Sequence, residues 1–246
     1  MDNIAYLAIS RAALLQRATD VAANNVANAN TDGFRASTSV FESMISDTNT
    51  KDDLRQMSYA IDGGTYANLE EGVLVKTSNA LDVALTGSGW FGFQTATSQT
   101  ALGRAGNFVM NGQGDLVTLT GDLVLDEGGA PINIPPGSGS IEIAKDGMIT
   151  DARGEEIARI GVFQADNVDN WAQVGGAKLA PRDGAVALVP VLEPQMAQGF
   201  VEKSNVNPIL EMSRMITLQR EYESSMNLAN IGDDLRKQTL SSLAPK

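Results

Sequence analysis

The hydrophobic pattern of the chain changes period twice. At both ends apolar residues recur in steps of three and four, the spacing of one helix face, whereas from about Glu71 to Phe200 they tend to alternate, as on a half-buried strand. That pattern predicts an α+β fold: two long terminal helices, remote in sequence, pairing as a coiled-coil-like domain, with an all-β domain of short antiparallel strands inserted between them. Helices arranged in this way find little support within one monomer, so the architecture already favours assembly.

At the N-terminal end Ile4, Leu7, Arg11, Leu14, Ala18 and Val21 define a seam, flanked by Ala8, Leu15 and Ala22. Continuing the seam leads to Asn25 and Asn28, two of the four asparagines in "ANNVANANTDGF" (23–34). Asparagine is a mediocre helix former because its amide competes for nearby backbone groups. On an apolar seam it fixes register and partner at some cost in stability. Asn30 to Gly33 read as the helix exit, with Gly33 as the stop.

A second helical pattern runs from 208 to about 241. Asn207 is its expected N-cap and Pro208 its first helical residue. Met212, Met215, Gln219, Tyr222, Met226 and Ala229 form one stripe, and Leu228, Ile231 and Leu235 a second, so this helix needs more than one neighbour.

The middle of the chain reads as strands in "LDVAL" (81–85), "LVTL" (116–119), "LVL" (123–125) and "IEI" (141–143). Turn signals separate them at Asn111 and Gly112, Gly128 and Gly129, Pro135 to Gly137, Asp146 and Gly147, and Asp183 and Gly184. The expected organisation is residues 1–34 as the first helix, 35–70 as an extended connector rich in Ser, Thr, Asp and Asn, 71–200 as the β-domain, and 201–246 as the second helix.

Composition narrows the function. The net charge of −12 opposes binding to nucleic-acid phosphate or an anionic membrane surface. With no Cys and no His among 246 residues, disulfides, thiolate zinc sites, histidine metal centres and Ser-His-Asp or Cys-His catalysis are all excluded. No cofactor and no metal are expected. Carboxylate pairs such as Glu70 with Glu71, Asp52 with Asp53, and Glu155 with Glu156 would be the minimum for glycoside hydrolysis. All sit in polar, turn-like sequence that favours solvated surface charge. No stretch is long and apolar enough for a membrane span, and the first residues lack the pattern of a cleaved secretory signal.

Four stretches resemble the flagellar rod and hook protein family in family order: "ANNVANANTDGFR" (23–35), "LDVALTGSGWF" (81–91), "RAGNF" (104–108) with "GDLV" (114–117), and "VEKSNVNPILEMSRMITLQREYE" (201–223). Departures are small, with Val26, Arg35 and Trp90 where leucine, lysine and phenylalanine are usual. The resemblance implies a structural subunit and no enzyme. Copies would assemble helically into the axial drive shaft of the basal body, transmitting torque and enclosing the export channel. Length points to a proximal rod subunit, with a distal one as the alternative; a cell-wall-binding or carboxylate hydrolase is the alternative of a different class.

Implied partners are further copies, neighbouring rod proteins and the flagellar type III export apparatus. The implied location is the rod in the periplasmic space, reached without a cleaved signal. Expected subunit contacts are Leu7, Leu14, Val21, Asn24, Asn25, Asn28, Phe34, Ser204, Asn205, Val206, Met212, Met215, Ile216, Gln219, Arg220, Tyr222, Met226, Ile231 and Leu235.

Overall fold

The computed structural model describes residues 2–46, 57–164, 171–175, 177–182 and 188–243. The chain divides into two compact units, one of residues 1–27, 37–66 and 207–246 and the other of 28–36 and 67–206.

Unit 1 holds the two helices, α1 (Asp2–Ala27) and α2 (Pro208–Leu243), and two long strands, β1 (Ser37–Ser46) and β2 (Met57–Ala67), which pair as a two-stranded sheet. The expected extended connector is thus largely a pair of strands. Its Ser- and Thr-rich composition hides a β-branched and aromatic alternation, as in "STSVFESMIS" (37–46), because a strand with little buried area need not be apolar. A lone pair of strands is marginal in water, and β1 packs against α1.

The helices pack antiparallel, with Arg11 reaching Glu221 at 3.4 Å and Asn25 reaching Glu211 at 3.3 Å. Buried positions on α1 are Ala8, Ala12, Leu15, Ala18, Ala22 and Asn25, a line of steps of four and three. The α2 side answers with Met215, Leu218, Tyr222, Ser225, Ala229 and Gly232, all half-buried or buried. The seam expected through Leu7, Arg11, Leu14 and Val21 is therefore displaced by about one residue. Leu7 is exposed and Leu14 and Val21 are half-buried. Small alanines take the centre because they let two helix backbones approach, while the leucines flank the contact. The side chain of Ile4 lies outside the described residues.

Unit 2 consists of short antiparallel strands: β3 (Leu74–Lys76), β4 (Val83–Leu85), β5 (Trp90–Gln94), β6 (Thr100–Gly103), β7 (Phe108–Met110), β8 (Leu116–Thr118), β9 (Leu123–Val124), β10 (Glu142–Ile143), β11 (Met148–Thr150), β12 (Glu156–Arg159), β13 (Val162–Gln164), β14 (Trp171–Gln173), β15 (Lys178–Pro181), β16 (Val189–Pro190), β17 (Met196–Gln198) and β18 (Phe200–Glu202). The main sheet runs β14-β15-β6-β5-β9-β8-β7, with β13 also on β5 and β16 on β13; β10-β11-β12, β17-β4 and β18-β3 form smaller sheets.

Phe91, Phe93 and Phe108 centre the core of unit 2, with Phe91 and Phe108 edge-on at 5.3 Å and Phe93 and Phe108 at 6.3 Å. Val83, Leu85, Leu116, Ile132, Ile134, Ile149 and Ile160 close around them, all 2% exposed or less. At the turns, Asp146 and Gly147 behave as expected, with Gly147 at φ +85°. After Asn111 the positive φ falls on Gly114, not Gly112, because the Asn111 side-chain oxygen Oδ1 accepts from the N–H of Gln113 and Asp115 and fixes the loop first. Asp183 and Gly184 lie outside the described residues.

Candidate functional site

The asparagine string resolves into distinct roles. Asn25 is 1% exposed. Its amide nitrogen donates to the Ser37 carbonyl at 2.8 Å and its oxygen accepts from the Ser37 N–H at 2.8 Å, so one side chain pairs with the first residue of β1 as a neighbouring strand would. The same nitrogen lies 3.3 Å from a carboxylate oxygen of Glu211, in the first turn of α2. An acidic residue is favoured there by the exposed N–H groups of the helix start. Asn207 caps that turn, its side-chain oxygen accepting from Ile209 and Leu210 at 3.1 and 3.2 Å, with Pro208 as the first helical residue.

Asn25 thus ties α1, β1 and α2 together within one unit, and it is removed from the set of expected contacts to neighbouring subunits. Asn24 is exposed, and half-buried Asn28 accepts from the Thr31 hydroxyl at 3.2 Å. Asn25→Leu is expected to lower stability by about 2–3 kcal/mol, since it removes both hydrogen bonds to Ser37 and the contact to Glu211 at a position 1% exposed. Equilibrium urea unfolding measures this, and unchanged or increased stability would show that apolar helix pairing outweighs the lost bonds.

The second constellation lies in unit 2, where the four sequence signatures meet. Gly33, at φ +69°, donates its N–H to the Glu202 carbonyl at 2.7 Å, and a Cβ placed on it would lie 2.2 Å from the Ala105 nitrogen. Only glycine fits that approach. Phe34 is buried with Ala177 and Val206, and Lys203 pairs with Asp32 at 2.6 Å. Asn205 accepts from the Ala36 N–H at 2.7 Å and donates to the carbonyls of Asn68 and Glu70 at 3.1 and 2.9 Å. One amide therefore holds the chain where it leaves unit 2 for β1, where it returns from β2, and where it leaves for α2.

At the centre of this constellation is Glu202, 1% exposed. Its Oε1 lies 2.5 Å from Arg35 Nη1 and accepts from the Gly72 N–H at 2.8 Å; its Oε2 lies 3.3 Å from Arg104 Nη1. Arg35 and Arg104 are 2% and 4% exposed, and both guanidinium groups lie over the Trp90 ring, at 5.7 and 5.4 Å from its centre. Arg104 also donates to the Gly87 carbonyl at 2.7 Å. Burial pushes the Arg104 guanidinium below its ordinary pKa, Glu202 working against that shift and Arg35 adding to it. The cluster contains no nucleophile or proton shuttle. Its chemistry is cohesion: it cross-links segments from "TDGFR", "GSGW", "RAGNF" and "VEKSN".

Arg35, Trp90, Arg104 and Glu202 were absent from the expected site residues, although each falls in a signature stretch. The available signal was a charged residue beside glycine or an apolar strand in three separate signatures. Phe34 and Val206, expected at subunit contacts, are buried in unit 2's own core, which corrects those two positions as well. Ser204 and Asn205 are half-buried, with Ser204 Oγ accepting from the Val206 N–H.

Among the described residues, the carboxylate pairs do not converge on a reactive centre. Glu70 accepts from the Asn68 amide in an exposed turn; Glu155 and Glu156 are exposed, and Asp52 and Asp53 lie outside the described residues. A cleft of about 230 Å³ is lined by Glu127, Asp146, Arg159 and Glu193, with Arg159 3.5 Å from both Glu127 and Asp146.

The outward faces of α2 remain apolar. Ile209, Met212 and Ile216 form one exposed row, Leu228, Ile231 and Leu235 another, and Met226 is exposed between them. Gln219 and Arg220 are also exposed, whereas Met215 and Tyr222 turn toward α1.

Three family models match in order: "Flagella basal body rod protein" over residues 6–35, "Flagellar hook protein FlgE/F/G D1 domain" over 84–151, and "Flagellar basal body rod FlgEFG protein C-terminal" over 197–243. The flagellar basal-body rod protein FlgF of Mesorhizobium japonicum is 38% identical over 93% of this chain and 92% of its own length. FlgF of Caulobacter vibrioides is 34% identical over 99% and 98%, and FlgG of Bacillus subtilis 30% identical over 95% and 96%. Matched end to end by such relatives, and carrying their three signatures bonded to one another in unit 2, the chain belongs to the flagellar basal-body rod protein family and is FlgF-like in sequence.

Proposed function

We propose that the chain is a structural subunit of the proximal rod, assembling helically with further copies and with neighbouring rod proteins into the drive shaft that transmits torque and encloses the export channel. Its place is the periplasmic part of the basal body, reached through the flagellar type III export apparatus. In this reading α1 and α2 act as a coiled-coil-like pair, with unit 2 as an insertion between them. The observation that carries the proposal is the pair of apolar rows on α2 that remain exposed after the seam to α1 is filled: Ile209, Met212 and Ile216, and Leu228, Ile231 and Leu235. Burying such rows is worth about 1.5–3 kcal/mol per large side chain, so they form a strong adhesive surface once copies are aligned.

The subunit contacts proposed are the exposed members of the expected set: Leu7, Asn24, Met212, Ile216, Gln219, Arg220, Met226, Ile231 and Leu235, joined by Leu228. Leu14, Val21, Met215 and Tyr222 support the pair from within or at its margin, whereas Asn28 lies in unit 2 and accepts from Thr31.

The double variant Leu228→Lys/Ile231→Lys tests this. Both positions are solvent-exposed, so the isolated chain should keep its unfolding midpoint to within about 0.5 kcal/mol of stability. Expressed in a strain lacking the wild-type gene, the variant should give nonmotile cells whose basal bodies, in electron micrographs, stop at a short rod stub. Normal motility and full-length rods would refute the assignment of this surface.

A further inference from the structure

We propose that unit 2 binds a small monovalent inorganic anion of the chloride class between the guanidinium groups of Arg35 and Arg104, beside Trp90. The charge balance requires a counterion: two guanidinium groups face one carboxylate, and all three side chains are 4% exposed or less. Arginine does not shed its proton in proteins, so the excess positive charge is permanent. An uncompensated buried charge is among the most unfavourable features a fold can carry.

Hydrogen bonding points the same way. Arg35 Nη1 is within ion-pair distance of Glu202, yet Nε, Nη1 and Nη2 of Arg35 and Nε of Arg104 are buried without a well-formed hydrogen bond to any acceptor among the described residues. Water could accept such bonds but would leave the charge unbalanced. Among the described residues, the neighbouring carboxylates are committed elsewhere. Asp32 pairs with Lys203, and Glu71 is solvent-exposed and favours the charged form of Arg104 only through its field. Glu202 Oε1 is shared between Arg35 and the Gly72 N–H, and Oε2 faces Arg104.

Close packing sets the size of the ligand. Trp90 lies against both guanidinium groups, and Arg35, Arg104, Glu202 and Trp90 are all 6% exposed or less. A monatomic anion suits such surroundings, whereas a phosphate or an organic acid does not.

The experiment is thermal unfolding of the full chain at fixed ionic strength while gluconate is replaced by chloride. The midpoint should rise saturably, by about 5 °C or more at a hundredfold excess over Kd, and bromide should act likewise. Arg35→Met, which keeps length and removes the charge, should flatten the response. Identical midpoints in chloride and gluconate, or an equal chloride response in Arg35→Met, would overturn the proposal and leave adventitious surface binding only. Should Arg35→Met not fold, anomalous scattering from bromide in wild-type crystals decides: a peak beside Arg35 and Arg104 supports the site, and peaks confined to exposed surface refute it.

Discussion

Glu202→Gln is expected to lower the unfolding free energy by about 3–5 kcal/mol, because it removes the one carboxylate that Arg35 and Arg104 share in a buried setting. The substitution is nearly isosteric, and the amide oxygen can still accept from the Gly72 N–H, so the loss reports charge and not volume. Equilibrium urea unfolding should show a lower midpoint with an unchanged slope, since the surface exposed on unfolding is the same. An internal control is Glu127→Gln, which breaks an exposed pair with Arg159 at 3.5 Å and should cost about 0.5 kcal/mol or less. A loss of under about 1 kcal/mol for Glu202→Gln would mean that the four signature segments are held by packing alone. If the loss is as large as expected, the variant should also fail to restore motility, since export and assembly both draw on the folded population.

The helices and the β-rich middle were legible because each depends on a local period. Asn207 and Pro208 could be placed as the start of α2 from capping chemistry alone, whereas α1 ends at Ala27, ahead of the expected stop at Gly33, whose left-handed turn instead serves the close approach to Ala105 in unit 2. The seam of α1 was read through Leu7, Leu14 and Val21 and lies through Ala8, Leu15 and Ala22, because periodicity gives a face but not which neighbour occupies its centre. Hydrophobicity alone favours leucine, whereas close helix approach favours alanine.

Strands β1 and β2 were missed since the Ser, Thr and Gly interspersed along them read as linker. The Glu202 cluster was out of reach for a different reason. Residues 35, 90, 104 and 202 are brought together only by the topology of unit 2, and no local pattern reports contacts between segments this far apart in sequence. Likewise, Asn25 was marked as a residue with a specific polar task, and its amide bonds lie within unit 1, to Ser37 of β1 and to Glu211 of the neighbouring helix α2.

Gly106→Ala is expected to cost about 3 kcal/mol or more, although it adds one carbon. The Gly106 carbonyl accepts from the Val83 N–H at 2.8 Å, and a Cβ on Gly106 would lie 1.7 Å from the Val83 oxygen and 3.1 Å from the Phe91 ring. Backbone, unlike the end of a flexible side chain, cannot step aside without moving its strand. Here the strand is β4, whose three residues are buried and paired with β17 through Leu85 and Met196. Shifting it would disturb the contact of Val83 and Leu85 with the Phe91 and Phe108 rings, so overpacking and lost packing add. Gly112→Ala supplies the contrast, because nothing lies within 4 Å of the added carbon and the change should stay within about 0.5 kcal/mol. Differential scanning calorimetry of the two variants separates the effects: a large downward shift for Gly106→Ala alone identifies close backbone approach as the cause, and similar midpoints would show that β4 relaxes at little cost. The same reasoning explains why the "RAGNF" signature carries glycine between a buried arginine and a core phenylalanine: one residue must bring two backbones together while its neighbours reach Glu202 and the aromatic core.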